Sequence, residues 1–191
     1  MTRSSLSVDS GVADEFSVQA ERSGKTLYAF ANEWLEAASK LSAQGAGAKE
    51  IVGYWQILAV LKQVDIITLP ADFVEDLISS LYQKEKEHLF KTFSDLGANL
   101  VGLMKMVAPD VEKLAELARE FAVVIPTKRI EIVRVDGNTI QVNIIGAGRK
   151  IETTECSFEF VKSIVLGYGY NITSQEIGVG VIRIRATKRA T

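Results

Sequence analysis

Residues 129–145, "RIEIVRVDGNTIQVNII", mark the point at which the spacing of apolar residues changes. Upstream, apolar residues recur every three or four positions, whereas here isoleucines and valines alternate with charged and polar residues. A period of two is typical of half-buried β-strands. The intervening "DGN", residues 136–138, is a hairpin turn signal. The stretch therefore predicts two strands joined by a tight turn.

The residues after the hairpin predict a helix and a closing strand. "SFEFVKSIVLGYGY", residues 157–170, has helical spacing and is ended by Gly167 and Gly169. "GVGVIRIRATK", residues 178–188, alternates again and predicts the closing strand. The glycines of "GAGRK", residues 146–150, precede no predicted helix at the spacing of a phosphate-binding loop. We therefore predict no phosphate cradle there.

Helical patterns fill the middle of the chain. Residues 50–64 form one apolar helix, and Pro70 precedes a helical stretch over 71–106 with a predicted break near Gly97. Pro109 starts another helix that reaches about Val123. Helices followed by a hairpin, a helix and a strand indicate the α+β class.

The N-terminal segment predicts strand, helix, turn and helix. Leu6 and Val8 alternate with polar residues, as in a short strand. The helix that follows ends at Gly24, and Thr26 caps the next helix. The complete prediction is α+β, with an N-terminal strand-helix-helix, a helical segment, and a small antiparallel-sheet domain with helices packed on it. Its boundaries are 1–43 for the N-terminal domain, 44–70 for a linker and connecting helix, and 71–191 for the α+β domain.

A nucleotide-binding interpretation of "ERSGKTL", residues 21–27, is not supported by the sequence. A P-loop requires a glycine five positions before Gly24, and Gln19 stands there. The preceding apolar residues also follow a helical period, whereas a P-loop follows a buried strand.

The N-terminal pattern "LSVDSGVADEFSVQAERSGKTLYAFANEWLEAASKL" resembles the ribbon-helix-helix (CopG/Arc-like) DNA-binding family over residues 3–41. The resemblance implies a homodimer whose paired strands enter the major groove of DNA. Its polar strand face implies base contacts, and the start of the second helix implies backbone contacts. The implied DNA-binding residues are Arg3, Ser5, Ser7, Lys25, Thr26 and Leu27. The alternative is a dimerisation module of the same topology without DNA.

Residues 71–188 resemble the 4-vinyl reductase and TRAPP-like ligand-binding fold. The resemblance rests on "LFKTFSDLGANL", "IEIVRVDGNTIQVNI" and "ECSFEFVKSIVLGYGYNI", in which Cys156 takes the place of the family's helix-opening cysteine. Further cysteines near the last strands are absent, so no metal or paired-thiol chemistry is expected. The resemblance implies a cavity for a small apolar ligand, with candidate lining Phe90, Phe93, Leu103, Phe158, Phe160 and Tyr168. The alternative is that these side chains fill a core.

The sequence offers no catalytic arrangement. His88 is the only histidine and Cys156 the only cysteine, and they stand far apart. We expect no catalytic residue, no metal and no cofactor. With no long apolar run, no visible signal peptide and no possible intrachain disulfide, we expect a cytoplasmic protein without a membrane partner.

Two functions follow from these expectations. The first is a dimeric DNA-binding transcriptional regulator with a C-terminal ligand-sensing or dimer-stabilising domain. The second is a non-enzymatic ligand-binding or scaffold protein whose N-terminal strand only mediates dimerisation.

Overall fold

The computed structural model describes residues 5–62, 69–124 and 127–189. The chain divides into two compact units, residues 1–52 and 53–191. Within the described residues the class is α+β, with six helices and one four-stranded sheet. The helices are α1 (Ser10–Arg22), α2 (Leu27–Ala43), α3 (Ala48–Lys62), α4 (Ala71–Val107), α5 (Val111–Val124) and α6 (Ile151–Gly167). The strands are β1 (Arg129–Arg134), β2 (Thr139–Ile145), β3 (Tyr170–Gly178) and β4 (Val181–Lys188).

The first unit contains the helical hairpin of α1 and α2. Gly24 has a left-handed φ of +66°, and the Lys25 N–H donates to the Ala20 carbonyl at 2.9 Å, which closes the end of α1. The Thr26 hydroxyl accepts a hydrogen bond from the Ala29 N–H at 3.2 Å and caps α2. The rings of Phe16 and Phe30 pack edge to face across the hairpin, 5.4 Å apart. The turn and both helices therefore form as their sequence predicts.

The predicted N-terminal strand is wrong. Ser5 to Asp9 have no regular secondary structure and are exposed, and α1 begins at Ser10. Leu6 and Val8 pair with no strand in the part of the chain that is described. An alternation of two apolar residues buries too little surface to hold an isolated strand, which also needs a neighbour for its backbone groups.

The sheet has the antiparallel order β1-β2-β4-β3 and carries the main core on one face. Ile132, Val142 and Ile184 lie opposite one another across three strands. Their face packs against α6 and the start of α5, with the core residues Val111, Ile140, Val142, Ile144, Ala147, Phe158, Val165, Tyr170, Ile182, Ile184 and Ala186. The predicted hairpin and closing strand are thus present.

Strand β3 has no counterpart in the sequence-based prediction. A register shift between Ile172 and Ser174 marks a bulge, which places Ile172 and Ile177 on the same face although they stand five positions apart. This odd spacing breaks the alternation that identifies a strand, and the polar residues between them hide it further.

The long helix α4 is interrupted at Glu85, where φ is −129° and ψ is 31°. The predicted break near Gly97 is wrong, because Gly97 lies inside the continuous second half of α4. A Cβ at Gly97 would lie well inside van der Waals contact of the Phe160 carbonyl oxygen on α6. The glycine therefore serves helix packing and does not end a helix.

Candidate ligand-binding site

Helices α4 and α6 pack in close contact along a line that we call the α4–α6 seam. The Ser94 and Ser163 hydroxyls lie 2.8 Å apart and share a hydrogen bond. Gly97 brings α4 close to the α6 backbone, and a Cβ at Gly167 would lie 2.8 Å from Val101 Cγ1. Small residues on both helices thus permit this approach.

Beside the seam lies an open depression of about 350 Å³, which we call the groove. Its lining consists of Ala98, Val101, Ser163, Leu166 and Gly167. Four of these residues are apolar and the fifth contributes a hydroxyl. Sites for small molecules are typically mostly apolar hollows of about 300–1,000 Å³ with few polar groups. The groove is mostly apolar, lies at the lower end of this size range and is open to solvent.

Five of the six predicted pocket residues lie in packed clusters, and none of the six lines the groove. Phe90 and Phe93 pack beside Cys156, and Phe158 belongs to the sheet core. Phe160 and Tyr168 pack with α5, while Leu103 is half-buried. The alternative interpretation, that these side chains fill a core, accounts for their burial. Their role as ligand contacts stays a prediction.

A polar cluster occupies the other end of the seam, next to the interruption of α4. The Tyr82 hydroxyl donates to Glu155 Oε2, and Lys86 Nζ donates to the same oxygen at 2.9 Å. The Lys86 ammonium also lies 4.7 Å from the Tyr82 ring and 5.0 Å from the Phe90 ring. The hydrogen bond from Tyr82, helped by Lys86, lowers the pKa of Glu155. Glu155 and Lys86 are therefore both charged at neutral pH and neutralise each other.

Cys156 lies in the adjoining apolar cluster and is fully buried. Burial, with a smaller contribution from Glu155, raises the pKa of its thiol to about 11. A nucleophilic cysteine needs an accessible, electropositive setting that favours the thiolate. Cys156 is therefore a protonated packing residue.

We expect the Tyr82–Glu155–Lys86 cluster to stabilise the fold in a pH-dependent way. Because the folded pKa of Glu155 lies below its ordinary value of 4.5, its contribution is present above that value. The contribution is lost as the pH falls through the folded pKa. Glu155 is partly exposed, so the effect is on the order of 0.5 kcal/mol.

Urea unfolding between pH 7 and pH 3 measures this effect. The wild type should lose more stability over that range than Glu155→Gln, which has no carboxylate to protonate. Parallel pH profiles for the two proteins would contradict the assignment.

A buried carboxylate ties the start of α4 to the start of α6. Glu75 is 7% exposed, and its Oε1 accepts a hydrogen bond from the Arg149 N–H at 2.6 Å. The Thr153 hydroxyl donates to the other oxygen at 3.3 Å. Asp72 pairs with Arg149, and Asp76 with Lys150 at 2.8 Å. The three carboxylates near the start of α4 thus bond to residues at or just before the start of α6.

This contact lies at the end of "GAGRK", directly ahead of α6. Contrary to the sequence-based prediction, a helix does follow directly, since α6 begins at Ile151. A free helix N-terminus attracts anions because of its unpaired N–H groups and dipole. Here the Glu75 carboxylate accepts a hydrogen bond from the Arg149 N–H, two residues before α6 begins.

The outer face of the sheet carries a second depression of about 460 Å³. Glu131 and Arg183 line it, but they form ion pairs with Arg129 and Glu176. Gln141 donates an amide hydrogen bond to Asn143 at 3.1 Å. The polar groups that line this depression are thus already bonded to protein partners.

The DNA-binding prediction is wrong. Arg3 lies outside the described residues, while Ser5 and Ser7 lie in an exposed segment that forms no ribbon. Lys25 pairs with Glu33, which neutralises the charge expected to meet a phosphate. Thr26 is used as a cap, and Leu27 is an exposed apolar residue on α2. The described part of the chain therefore has no paired N-terminal strands to form the ribbon that the resemblance implies.

Comparison with known proteins gives a fold likeness only. No family model and no curated protein matches the chain. Solved structures of H-NOX domains resemble it, among them one from a study of heme distortion with 12% identity and a TM-score of 0.43 over 70% of this chain and 84% of that chain. A point mutant of the T. tengcongensis H-NOX gives 13% identity and a TM-score of 0.41, over 68% and 83%. A second point mutant, of the Tt H-NOX, gives 14% and 0.41, over 70% and 85%.

These findings also correct the two family resemblances. The solved structures named above are H-NOX domains, and no family model for ribbon-helix-helix or 4-vinyl reductase and TRAPP-like proteins matches the chain. Identities of this size with TM-scores below 0.5 carry no inference about function.

Neither depression is lined by His88, Cys156 or Tyr82. A heme iron needs an axial ligand such as histidine, cysteine or tyrosine that faces a cavity. His88 is exposed on α4, and Cys156 and Tyr82 are engaged in the packed cluster beside the seam. Nor do the described histidine, cysteine and acidic residues form a group of three that could hold a metal ion.

Among the helices described, none combines the length and the apolar character that crossing a bilayer requires.

Proposed function

We propose that the second unit, residues 53–191, is a non-enzymatic binding module that takes up a small apolar molecule in the groove beside the α4–α6 seam. The observation that carries this proposal is the groove itself, an apolar hollow of about 350 Å³ between two helices. Hollows between packed helices are a common place for small-molecule sites.

The lining defines the class of ligand. None of the five lining residues is charged, so an ionic ligand would lose water without gaining a partner. The one polar lining group, the Ser163 hydroxyl, already shares a hydrogen bond with Ser94. A neutral, mainly apolar molecule with one or no polar group fits best.

The neighbouring polar residues support a binding role without chemistry. Cys156 is buried and protonated, and the Lys86 and Glu155 charges bond to each other. General acid–base catalysis requires a group whose pKa lies near the working pH and which can reach a substrate. These three residues lack that combination.

The substitution Ala98→Trp tests the proposal by filling the groove. Ala98 lines the groove from α4, so an indole there should lower the affinity for 1-naphthol, a small apolar probe, at least tenfold. The matched control is Asn99→Trp, since Asn99 is exposed on the same helix but does not line the groove. An NMR titration of both variants with 1-naphthol measures the difference.

The control should bind 1-naphthol as the wild type does. Unchanged binding by Ala98→Trp, or an equal loss in both variants, would contradict the groove as the site. Thermal unfolding of each variant shows whether a loss reflects the groove or the fold.

A further inference from the structure

Helix α2 exposes a row of large apolar side chains. Leu27, Trp34, Leu35 and Leu41 are 43%, 56%, 48% and 38% exposed. Contiguous exposed apolar residues of this size usually mark a surface that another molecule covers. We call the set of Leu27, Ala31, Trp34, Leu35, Ala38 and Leu41 the α2 stripe.

The spacing of the stripe is that of a helix-pairing seam. Leu27, Ala31, Trp34, Ala38 and Leu41 are separated by four, three, four and three positions. This alternation averages 3.5 residues and is the repeat with which two helices pack side by side. The large residues occupy one class of seam position and the alanines the other.

Charged residues do not oppose burial of the stripe. At 100° per residue, Glu33, Glu36 and Lys40 lie on the other side of α2. Lys40 pairs with Glu36 at 2.7 Å, and Lys25 pairs with Glu33. Covering the stripe therefore removes no charge from water.

The hairpin also buries too little by itself. In α1 and α2 only Ala20 and Phe30 are buried among the described residues. Two short helices cannot enclose a core, whereas two hairpins together can form a four-helix arrangement.

We propose that a second copy of this chain covers the α2 stripe, with the two α2 helices antiparallel. In an antiparallel seam each large residue faces a small one, so Trp34 packs on Ala38 of the other copy and Leu41 on Ala31. A parallel pair would place Trp34 against Trp34 and leave alanine opposite alanine, with a void. Size complementarity therefore selects the antiparallel pairing.

The exposed apolar area of the stripe sets the strength of the dimer. Its large side chains expose on the order of 400 Å² per copy. Twice that area lies below the roughly 1,200 Å² of a standard stable interface, so the dimer is weak and depends on concentration. We expect dimers at about 100 µM and monomers near 1 µM.

Sedimentation equilibrium of the full chain tests the pairing. Trp34→Lys should lower the association constant at least tenfold. The control Val18→Lys, at an exposed position on α1 outside the stripe, should leave it unchanged. Helical content is checked for both by circular dichroism. A wild type that stays monomeric at about 100 µM, or equal effects of the two substitutions, would overturn the proposal.

Cross-linking tests the orientation. Leu35 lies next to the two-fold axis of the antiparallel pair, so Leu35→Cys should give a covalent dimer on oxidation. The control Ser39→Cys, exposed on α2 and away from the seam, should not. The native Cys156 is buried and does not compete. Cross-linking of Ser39→Cys but not of Leu35→Cys would overturn the antiparallel arrangement.

Discussion

Replacing Gly97 by alanine is expected to lower the free energy of unfolding by about 3 kcal/mol, because α6 leaves no room for a methyl group there. The new Cβ would collide with the Phe160 carbonyl oxygen and lie 3.0 Å from Ser163 Cβ. The carbonyl belongs to the backbone of α6, so relief requires the helices to separate. Separation would also stretch the hydrogen bond between Ser94 and Ser163.

Gly102 provides the matched control on the same helix. A Cβ at Gly102 meets no atom within 4 Å, and the residue is exposed in α4. Gly102→Ala should therefore stabilise the protein by roughly 0.5–1 kcal/mol through helix propensity. Urea denaturation of the two variants measures both effects. Similar stability of the two variants would show that the α4–α6 seam is not as close as described.

Replacing Glu75 by alanine should cost about 2–4 kcal/mol, the second largest effect expected. The substitution leaves the Arg149 N–H and the buried Thr153 hydroxyl without their acceptor. It also removes a negative charge from the N-terminus of α6. The neighbouring Asp76 forms only an exposed ion pair with Lys150, so Asp76→Ala should cost less than about 1 kcal/mol.

Thermal and urea unfolding of Glu75→Ala and Asp76→Ala give the comparison. Glu75→Gln adds a useful intermediate, because its amide oxygen can still accept one of the two hydrogen bonds. The order of stability should be wild type, then Glu75→Gln, then Glu75→Ala. Equal losses for Glu75→Ala and Asp76→Ala would contradict the role assigned to the buried carboxylate.

Local signals in the sequence predict much of the fold. Gly24 and Thr26 identify the end of α1 and the cap of α2, because both roles depend on a single residue type. The alternation of residues 129–145 identifies the hairpin, because a period of two is also a local pattern. These features depend on neighbours in the chain and not on distant contacts.

Features that depend on contacts between residues far apart in the chain could not be predicted from the sequence. Its neighbours in the sequence do not distinguish Gly97 from any other helical glycine, because its role depends on the α6 backbone that packs against it. Glu75 resembles a solvated carboxylate until Arg149 and Thr153 are brought to it. The bulge in β3 interrupts the alternation that would identify this strand. The short alternation around Leu6 predicts a strand that does not form.

The candidate site shows the same limit. Phe158 and Phe160 are candidate pocket residues because of the resemblance to the 4-vinyl reductase and TRAPP-like fold, but large apolar residues also fill cores. The groove is instead lined by smaller residues such as Ala98 and Gly167, which create space because they do not fill it. A depression is a property of the packed helices and has no signature in the sequence.

The most direct test of the proposed function is a titration of the wild-type protein with 1-naphthol, followed through the methyl signals of alanine, valine and leucine by NMR. At a typical ligand efficiency for a molecule of this size, the Kd should be roughly 1 mM, so the titration extends to about 5 mM. The account predicts saturable shifts at Ala98, Val101 and Leu166, with little change at Ala147 and Ala186 in the sheet core. The absence of saturable shifts at the groove methyls, or shifts confined to Ala31 and Ala38 on the α2 stripe, would contradict it.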